Sequence, residues 1–338
     1  MKSILIICLT LIPLYSYAWQ RELKKEIEKI DLNFEGEIGV VVKNLKDGSR
    51  FDYNADKRWY LSSTIKVLVA ISLMEAVEAG KIRLAQKITL EEKDFVDGAG
   101  PLLWNKPGAK FSVEYLLRAM LRESDNTATD ILIGLIGIDE IRRDIKKWMP
   151  ESGEITSLLE VRYLAYSELH PKARSLSNMD FILIKNEPLN ERHVTFAKKI
   201  NVPLQSLKAK DLEEAHEKYY THGYNSASLQ SYVALLERLE KGELLSETNS
   251  NLILDHMKKM KTGEHRLKAG LPSDATFIQK TGTQIHRACN VGLIRDNGNK
   301  TSDFAIAVCI KKDSESVESD DVFKSIAQKM KLNISAKI

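Results

Sequence analysis

The sequence predicts an α+β protein whose sheet is formed from both ends of the chain, with helices in between. Two strand-like segments, 38–42 and 50–53, are separated by the hairpin signal Asp47-Gly48. Three more strand-like segments lie near the other end, at 276–278, 288–294 and 304–310. Between the two groups, apolar residues recur at helical spacing. This order of elements predicts one sheet with a helical domain inserted into it.

Composition limits the classes of protein that this chain can be. Its 338 residues, 43% of them hydrophobic, can bury a large core in one domain or two. Fifty basic side chains balance forty-seven acidic ones, and no basic block stands out. The chain therefore lacks the charge pattern of a nucleic-acid-binding protein.

The first eighteen residues have the pattern of a secretory signal peptide. A charged start, Met1-Lys2, is followed by an apolar run over 4–14 and by small residues that end at Ala18. The run is shorter than the roughly 20 residues that a membrane-spanning helix needs. We therefore expect cleavage after Ala18 and a secreted or periplasmic protein with no membrane span.

The first chemical motif is a serine and a lysine three residues apart at the start of an apolar helical run. Ser63 and Lys66 share one face of the predicted helix, because residues three apart are neighbours there. An amine beside a hydroxyl can take its proton and make it a nucleophile. Such a pair also arises by chance, so the prediction needs partners elsewhere in the chain.

Two further motifs supply those partners. Ser124-Asp125-Asn126 follows an amphipathic helical run, and Lys280-Thr281-Gly282-Thr283 follows a strand-like segment. In order and context, the three motifs resemble the active-site set of the penicillin-recognising serine enzymes, and their spacing resembles that of class A β-lactamases.

The resemblance implies a β-lactamase/transpeptidase-like fold, with an antiparallel sheet flanked by helices and an inserted all-helical domain. We expect the sheet domain over residues 19–57 and 266–338, and the helical domain over 58–265. About fifty extra residues, at about 151–220, interrupt the similarity, and they exceed the usual length of a loop in a compact domain.

The resemblance also implies the role of each catalytic residue. Ser63 attacks a carbonyl and forms an acyl-enzyme, and Lys66 accepts or relays its proton. Ser124 passes a proton to the leaving nitrogen. By analogy, the backbone N–H groups of Ser63 and Thr283 form the oxyanion hole. No metal or organic cofactor is implied, since serine acyl transfer needs none.

Substrate binding is assigned in the same way. Asn126 orients the amide side chain of the substrate, and the motif Lys280-Thr281-Gly282-Thr283 offers a cation and hydroxyls to its carboxylate. Arg287 is a candidate second cation, although an arginine on an edge strand is usually solvated. A second copy of the motif, Lys261-Thr262-Gly263, follows a helix and not a strand, so we expect Lys261 to be a solvated surface lysine.

One departure from the family concerns the base that releases the acyl group. Class A enzymes carry Glu-x-x-Leu-Asn in a loop, and its glutamate activates the hydrolytic water. Alignment puts Tyr166 and His170 at the glutamate and asparagine positions, and neither is an obvious replacement. Glu160, Glu168 and Glu187 are candidate bases, and each is also typical of a solvated surface charge. Without a base the acyl-enzyme would be long-lived.

Three functions stay open. The first is a class A β-lactamase-type hydrolase acting on β-lactams or a related amide or ester. The second is a D-alanyl-D-alanine peptidase or transpeptidase, and the third is a penicillin-binding or cell-wall-sensing protein that acylates but hardly turns over. The expected partner is a small β-lactam or a peptidoglycan-like peptide.

Two cysteines remain after removal of the signal peptide. Cys289 and Cys309 lie on what we expect to be neighbouring strands, and an exported compartment permits a disulfide. Symmetric pairing about the turn at 296–299 would not place them directly opposite each other, so the sequence leaves the bond open.

Overall fold

The computed structural model describes residues 18–296, 302–314 and 319–330. The predicted signal peptide lies outside these residues except for Ala18, as do residues 297–299 of the predicted turn. Among the helices that the structure describes, none combines the length and the apolar character needed to span a bilayer.

The chain forms nine strands and thirteen α-helices over the described residues. The strands are β1 Gly36–Asn44, β2 Arg50–Tyr53, β3 Arg58–Tyr60, β4 Lys87–Thr89, β5 Lys110–Ser112, β6 Ser226–Ser228, β7 Thr276–Gln284, β8 Arg287–Arg295 and β9 Phe304–Lys312. The helices are α1 Ala18–Leu32, α2 Ile65–Glu78, α3 Val113–Arg122, α4 Asn126–Ile136, α5 Ile138–Trp148, α6 Leu158–Ser167, α7 Asn178–Lys185, α8 Arg192–Lys199, α9 Leu212–Thr221, α10 Leu229–Glu240, α11 Glu247–Lys258, α12 Leu267–Gly270 and α13 Asp320–Lys329.

The main sheet confirms the predicted α+β fold with an antiparallel sheet. Five strands lie in the order β2-β1-β9-β8-β7, and every neighbouring pair is antiparallel. Strands from the two ends of the chain meet where β1 pairs with β9 along nine residues. Both ends of the chain therefore contribute strands to one sheet, and most of the helices lie between these strands in the sequence.

Each face of the sheet covers its own apolar core. On one face α1 and α13 pack through residues such as Ile27 and Phe323. On the other face lies a larger core that contains α2. Helix α2 is buried on nearly all sides, including Lys66, which is 0% exposed. A charged residue type in such a helix requires polar partners, because an unpaired buried amine is costly.

Helix starts follow local capping chemistry. Ser112 caps α3, where its hydroxyl accepts from the N–H of Tyr115. Residues 226–228 pair with β3, so α10 begins only after Ser228, whose hydroxyl accepts from the N–H of Ser231.

The residues predicted as an insertion contain four helices, α6 to α9. They enclose an apolar cluster of their own, formed around Tyr166, Phe181 and Phe196. Polar contacts join this unit to the turn between β7 and β8. Glu217 accepts two hydrogen bonds from the guanidinium of Arg287, at 2.9 and 2.8 Å. The insertion is thus fixed to the edge of the main sheet.

The two cysteines are directly opposite in the structure, so the predicted offset is wrong. Cys289 pairs with Cys309 in the β8–β9 register, their Cα atoms are 4.1 Å apart, and they form a disulfide. The register places Ile294 opposite Phe304, so pairing is not symmetric about Asn297-Gly298. This register brings the two cysteines together.

We predict that replacing both cysteines by alanine lowers the free energy of unfolding by about 3 kcal/mol, because the bond joins residues 20 positions apart. Guanidinium unfolding of the oxidised protein, the reduced protein and the variant measures this. The reduced protein should match the variant. Identical midpoints for the oxidised and reduced proteins would contradict the prediction.

Candidate active site

The predicted nucleophile lies in a tight turn directly before α2. Residues 62–64 form one turn of 3₁₀ helix, and Ser62 has a left-handed backbone with φ of 49°. Strand β7 packs against this turn at Gly282. A Cβ added to Gly282 would lie 2.7 Å from the carbonyl oxygen of Leu61 and 2.9 Å from the backbone nitrogen of Ser63. Only glycine allows this approach, which brings the third motif against the first.

Lys66 and Lys280 meet at one hydroxyl group. The amine of Lys66 donates to Ser124 Oγ at 3.1 Å and to Asn126 Oδ1 at 2.8 Å. The amine of Lys280 donates to Ser124 Oγ at 3.0 Å and to the carbonyl oxygen of Thr281 at 2.8 Å. The first, second and third motifs therefore converge on Ser124.

Burial changes the protonation of both lysines. It lowers the pKa of Lys66 from its ordinary 10.5 to about 7, although the nearby carboxylates of Asp125 and Asp130 act in the opposite direction. Burial and the neighbouring charges of Lys66 and Arg266 also place the pKa of Lys280 well below its ordinary value. For Lys66, a pKa of about 7 leaves a neutral fraction near neutral pH that can accept a proton.

The loop of the second motif is held by its own side chains. The carboxylate of Asp125 accepts from the N–H groups of Ala128 and Leu102, both at 2.7 Å, which agrees with the structural role that loop acids usually have. Asn126 donates its amide to the carbonyl oxygen of Asp97 at 2.6 Å. With its oxygen bonded to Lys66, the Asn126 amide is fixed in orientation.

An arginine that the sequence analysis missed lies behind the third motif. Arg266 is 8% exposed and donates to Thr283 Oγ1 at 2.8 Å and to the carbonyl oxygen of Gly282 at 3.1 Å. Asp320 of α13 accepts from its Nε at 2.8 Å. The signal that could have found it is its position at the start of the segment before the motif strand.

The other candidate cations point elsewhere. Arg287 is bonded to Glu217 of α9, and its guanidinium lies 4.4 Å from the ring centre of Tyr220. Lys261 is exposed, as predicted, and forms an ion pair with Glu123 at 2.8 Å. Its neighbour Thr262 contacts Thr281 through their hydroxyls at 2.7 Å. Lys261-Thr262-Gly263 therefore packs against Lys280-Thr281-Gly282, but the amine of Lys261 stays at the surface.

A small cavity of about 50 Å³ opens beside Ser63. Helix α6, which carries the aligned glutamate position Tyr166, forms one wall through Leu158, Val161 and Arg162. The other lining residues are Tyr60, Ser62, Ser63, Asn126, Thr283 and Gln284. The residues that line this cavity thus include an arginine and no carboxylate.

The three candidate bases lie outside this lining. Glu160 accepts two hydrogen bonds from the guanidinium of Arg174, at 3.0 and 2.5 Å, and Glu168 accepts from His222 at 2.8 Å. Glu187 accepts from Arg192 through its backbone carbonyl. Tyr166, at the aligned glutamate position, packs in the core of the insertion.

Two acids fix the wall in place. Arg162 donates from Nε to Asp97 at 2.6 Å, and both side chains are largely buried. Asp130 accepts from the N–H groups of Leu158 and Leu159 at 2.7 and 2.8 Å, at the start of α6. Burial raises the pKa of Asp130 to about 6. These contacts hold α6 against the catalytic cluster.

Comparison with known proteins gives a consistent result. Residues 22–333 match the model of a family described as the beta-lactamase enzyme family. Beta-lactamase Toho-1 of Escherichia coli is 24% identical over 294 residues, which cover 86% of this chain and 82% of the relative. Extended-spectrum beta-lactamase PER-1 of Pseudomonas aeruginosa is 22% identical over 314 residues, 90% of this chain and 85% of the relative.

A solved structure has the same fold. The acyl-enzyme complex of a PBP-A mutant with penicillin-G superposes with a TM-score of 0.68 at 19% identity, and covers 91% of this chain and 94% of its own. Its helices and sheet therefore follow the arrangement described above.

We predict that Gly282→Ala lowers the free energy of unfolding by about 1–3 kcal/mol, because its Cβ would meet backbone atoms of the nucleophile turn. Gly134→Ala is the matched control. A Cβ there meets no atom within 4 Å, and alanine in a helix should stabilise by up to about 1 kcal/mol. Urea unfolding measures both. Equal effects of the two substitutions would contradict the contact.

Proposed function

Because the chain belongs to the beta-lactamase enzyme family, we propose that it is an exported serine hydrolase that forms an acyl-enzyme at Ser63. Its substrates are β-lactams or related amides and esters. The observation that carries this proposal is the Ser124 hydroxyl held between the amines of Lys66 and Lys280, beside the turn of Ser63. Export rests on the signal-peptide pattern of residues 1–18.

Acylation starts with proton transfer from Ser63. Lys66 lies one turn along the same helix, and its pKa of about 7 leaves much of it neutral near neutral pH. A neutral amine can accept the serine proton while the hydroxyl oxygen attacks the carbonyl carbon. Ser124, bonded to the same amine, then delivers a proton to the leaving nitrogen.

The developing oxyanion accepts hydrogen bonds from the backbone N–H groups of Ser63 and Thr283. The close approach at Gly282 supports this assignment, because it keeps β7 next to the nitrogen of Ser63. Two donors on rigid elements need little rearrangement as the charge forms.

The substrate carboxylate binds to the hydroxyls of Thr281 and Thr283 near the amine of Lys280. Arg266 adds a positive charge behind this site through its bond to Thr283. The structure supports Arg266 over Arg287 for this role, because the guanidinium of Arg287 pairs with Glu217.

A second candidate function follows from the wall of the cavity. Leu158, Val161 and Arg162 face Ser63, and none of them can activate a water as a carboxylate does. This favours a penicillin-binding protein or a D-alanyl-D-alanine peptidase over a fast β-lactamase. In either case β-lactams would acylate Ser63, and the acyl group would be hydrolysed from it slowly.

We predict that acylation speeds up as the pH rises towards 7 and then levels off. Below a pKa of about 7 the amine of Lys66 is protonated and cannot act as a base, so the rate should fall about tenfold for each pH unit. Stopped-flow acylation by a penicillin between about pH 5 and about pH 8.5 measures this.

Asp130 is the control for this profile, because its pKa is also raised towards neutrality. Asp130→Asn should keep the pH dependence and move its midpoint to lower pH, because the Asp130 carboxylate raises the pKa of Lys66. Lys66→Ala should remove both the rate and its pH dependence. A flat profile in the unmodified protein would exclude Lys66 as the base.

We predict a single burst of product from a chromogenic cephalosporin, followed by slow turnover and a persistent mass gain on Ser63. The reason is an intact acylation cluster next to a wall without a carboxylate. Stopped-flow absorbance and mass spectrometry measure the two parts, and Ser63→Ala should show neither.

The other outcomes separate the alternatives. Fast steady turnover without adduct would mean a working β-lactamase and would contradict slow deacylation. The absence of both burst and adduct would contradict β-lactams as substrates. Release of D-alanine from a peptide ending in D-alanyl-D-alanine would distinguish a peptidase from a binding protein.

A further inference from the structure

A second small cavity adjoins the catalytic one. The two share Arg162 and Gln284 in their linings, so these side chains separate them. The second cavity has a volume of about 30 Å³, which is room for about two water molecules or one carboxylate group. Its other lining residues are Asp97, Tyr166, Lys185, Arg192, Leu212, His216 and Ile285.

The charge of this cavity is positive. Asp97 is the acid among its lining residues, and its carboxylate is already paired with Arg162 at 2.6 Å. Lys185 and Arg192 add two further positive charges. Burial lowers the pKa of His216 to about 3, so its ring is neutral. The lining residues therefore carry a net charge of about +2.

In the substrate orientation of the proposed function, the cavity lies on the acyl side. Along β7, Lys280 and Thr281 come first and serve the carboxylate next to the leaving group, and Thr283 follows at the oxyanion hole. Gln284 comes next and borders the second cavity. A substrate laid along this strand therefore directs its acyl side chain past Asn126 towards Arg162.

We propose that this cavity is a subsite for a negatively charged group on the acyl side chain of the substrate. Arg192 and Lys185 bind the anionic group, and Arg162 completes the site beside Ser63. The proposal rests on the proposed function, since it takes the acyl-enzyme geometry as its frame. It adds that the natural substrate carries a carboxylate on the acyl side of the scissile bond.

Two matched pairs of compounds test this. Carbenicillin differs from benzylpenicillin by one carboxylate on the acyl side chain. N-acetyl-glutamyl-D-alanyl-D-alanine differs from its glutaminyl counterpart by one charge, and this pair tests a peptide substrate instead of a β-lactam. The ratio of acylation rate constants within each pair is measured for the unmodified protein and for Arg192→Gln and Lys185→Gln.

We expect the ratio of the acidic to the neutral compound to fall about tenfold in Arg192→Gln, because a charged hydrogen bond is lost. Arg174→Gln is the matched control on the same insertion, since its guanidinium pairs with Glu160 instead, and it should keep the ratio. Unchanged ratios in both cavity variants, for both pairs, would overturn the subsite.

A binding measurement keeps this result separate from the proposed function. In Ser63→Ala no acyl bond can form, so calorimetry reports affinity alone. The subsite is supported if the acidic compounds bind more tightly than the neutral ones and Arg192→Gln abolishes this difference. This holds even if the unmodified protein is never acylated, an outcome that would contradict the proposed function. Equal binding of both members of each pair, or no binding of either, would overturn the subsite.

Discussion

Two buried amines that share one hydroxyl group are the constraint on which the catalytic region depends. Lys66 comes from a helix, Lys280 from a strand, and Ser124 from a loop between them. Burying an amine is costly unless polar atoms surround it, and here each lysine uses the same oxygen. The helices and the sheet must therefore keep their relative positions for both lysines to keep their hydrogen bonds to Ser124. Burial also lowers the pKa of both amines, and a neutral Lys66 can accept a proton.

Gly282 makes this arrangement of helices and sheet possible. With no Cβ, the strand can approach the turn of Ser63 at a distance that any other residue would prevent. The third motif thus has a steric role besides its chemical one. Its lysine reaches Ser124 because its glycine lets the strand come close.

The sequence was sufficient to predict the three motifs and the fold class. Ser63, Lys66, Ser124 and Lys280 could be proposed because their motifs resemble, in order and spacing, those of the penicillin-recognising serine enzymes. Arg162 and Arg266 could not, because their positions depend on how α6 and the segment before β7 pack in space. The roles of Asp97 and His216 in the second cavity were hidden for the same reason.

The disulfide shows a second limit. Pairing across β8 and β9 depends on the length of the connection between the strands, and a shift of register changes which residues face each other. The sequence contained the turn residues but not their pairing. The alternation of hydrophobic residues predicted where the strands lie, whereas their register could be read only from the folded sheet.

The separate core of the insertion has a consequence for how such a protein can change over generations. Its helices pack around their own apolar cluster, while α2, the Ser124 loop and β7 belong to another. Arg162 belongs to neither cluster, so its substitution can alter the wall facing Ser63 without repacking either core. Under the proposed function, the rate of acyl-enzyme breakdown is thus open to selection separately from the rate of its formation, and changes in one helix convert a protein that captures its substrate into one that destroys it.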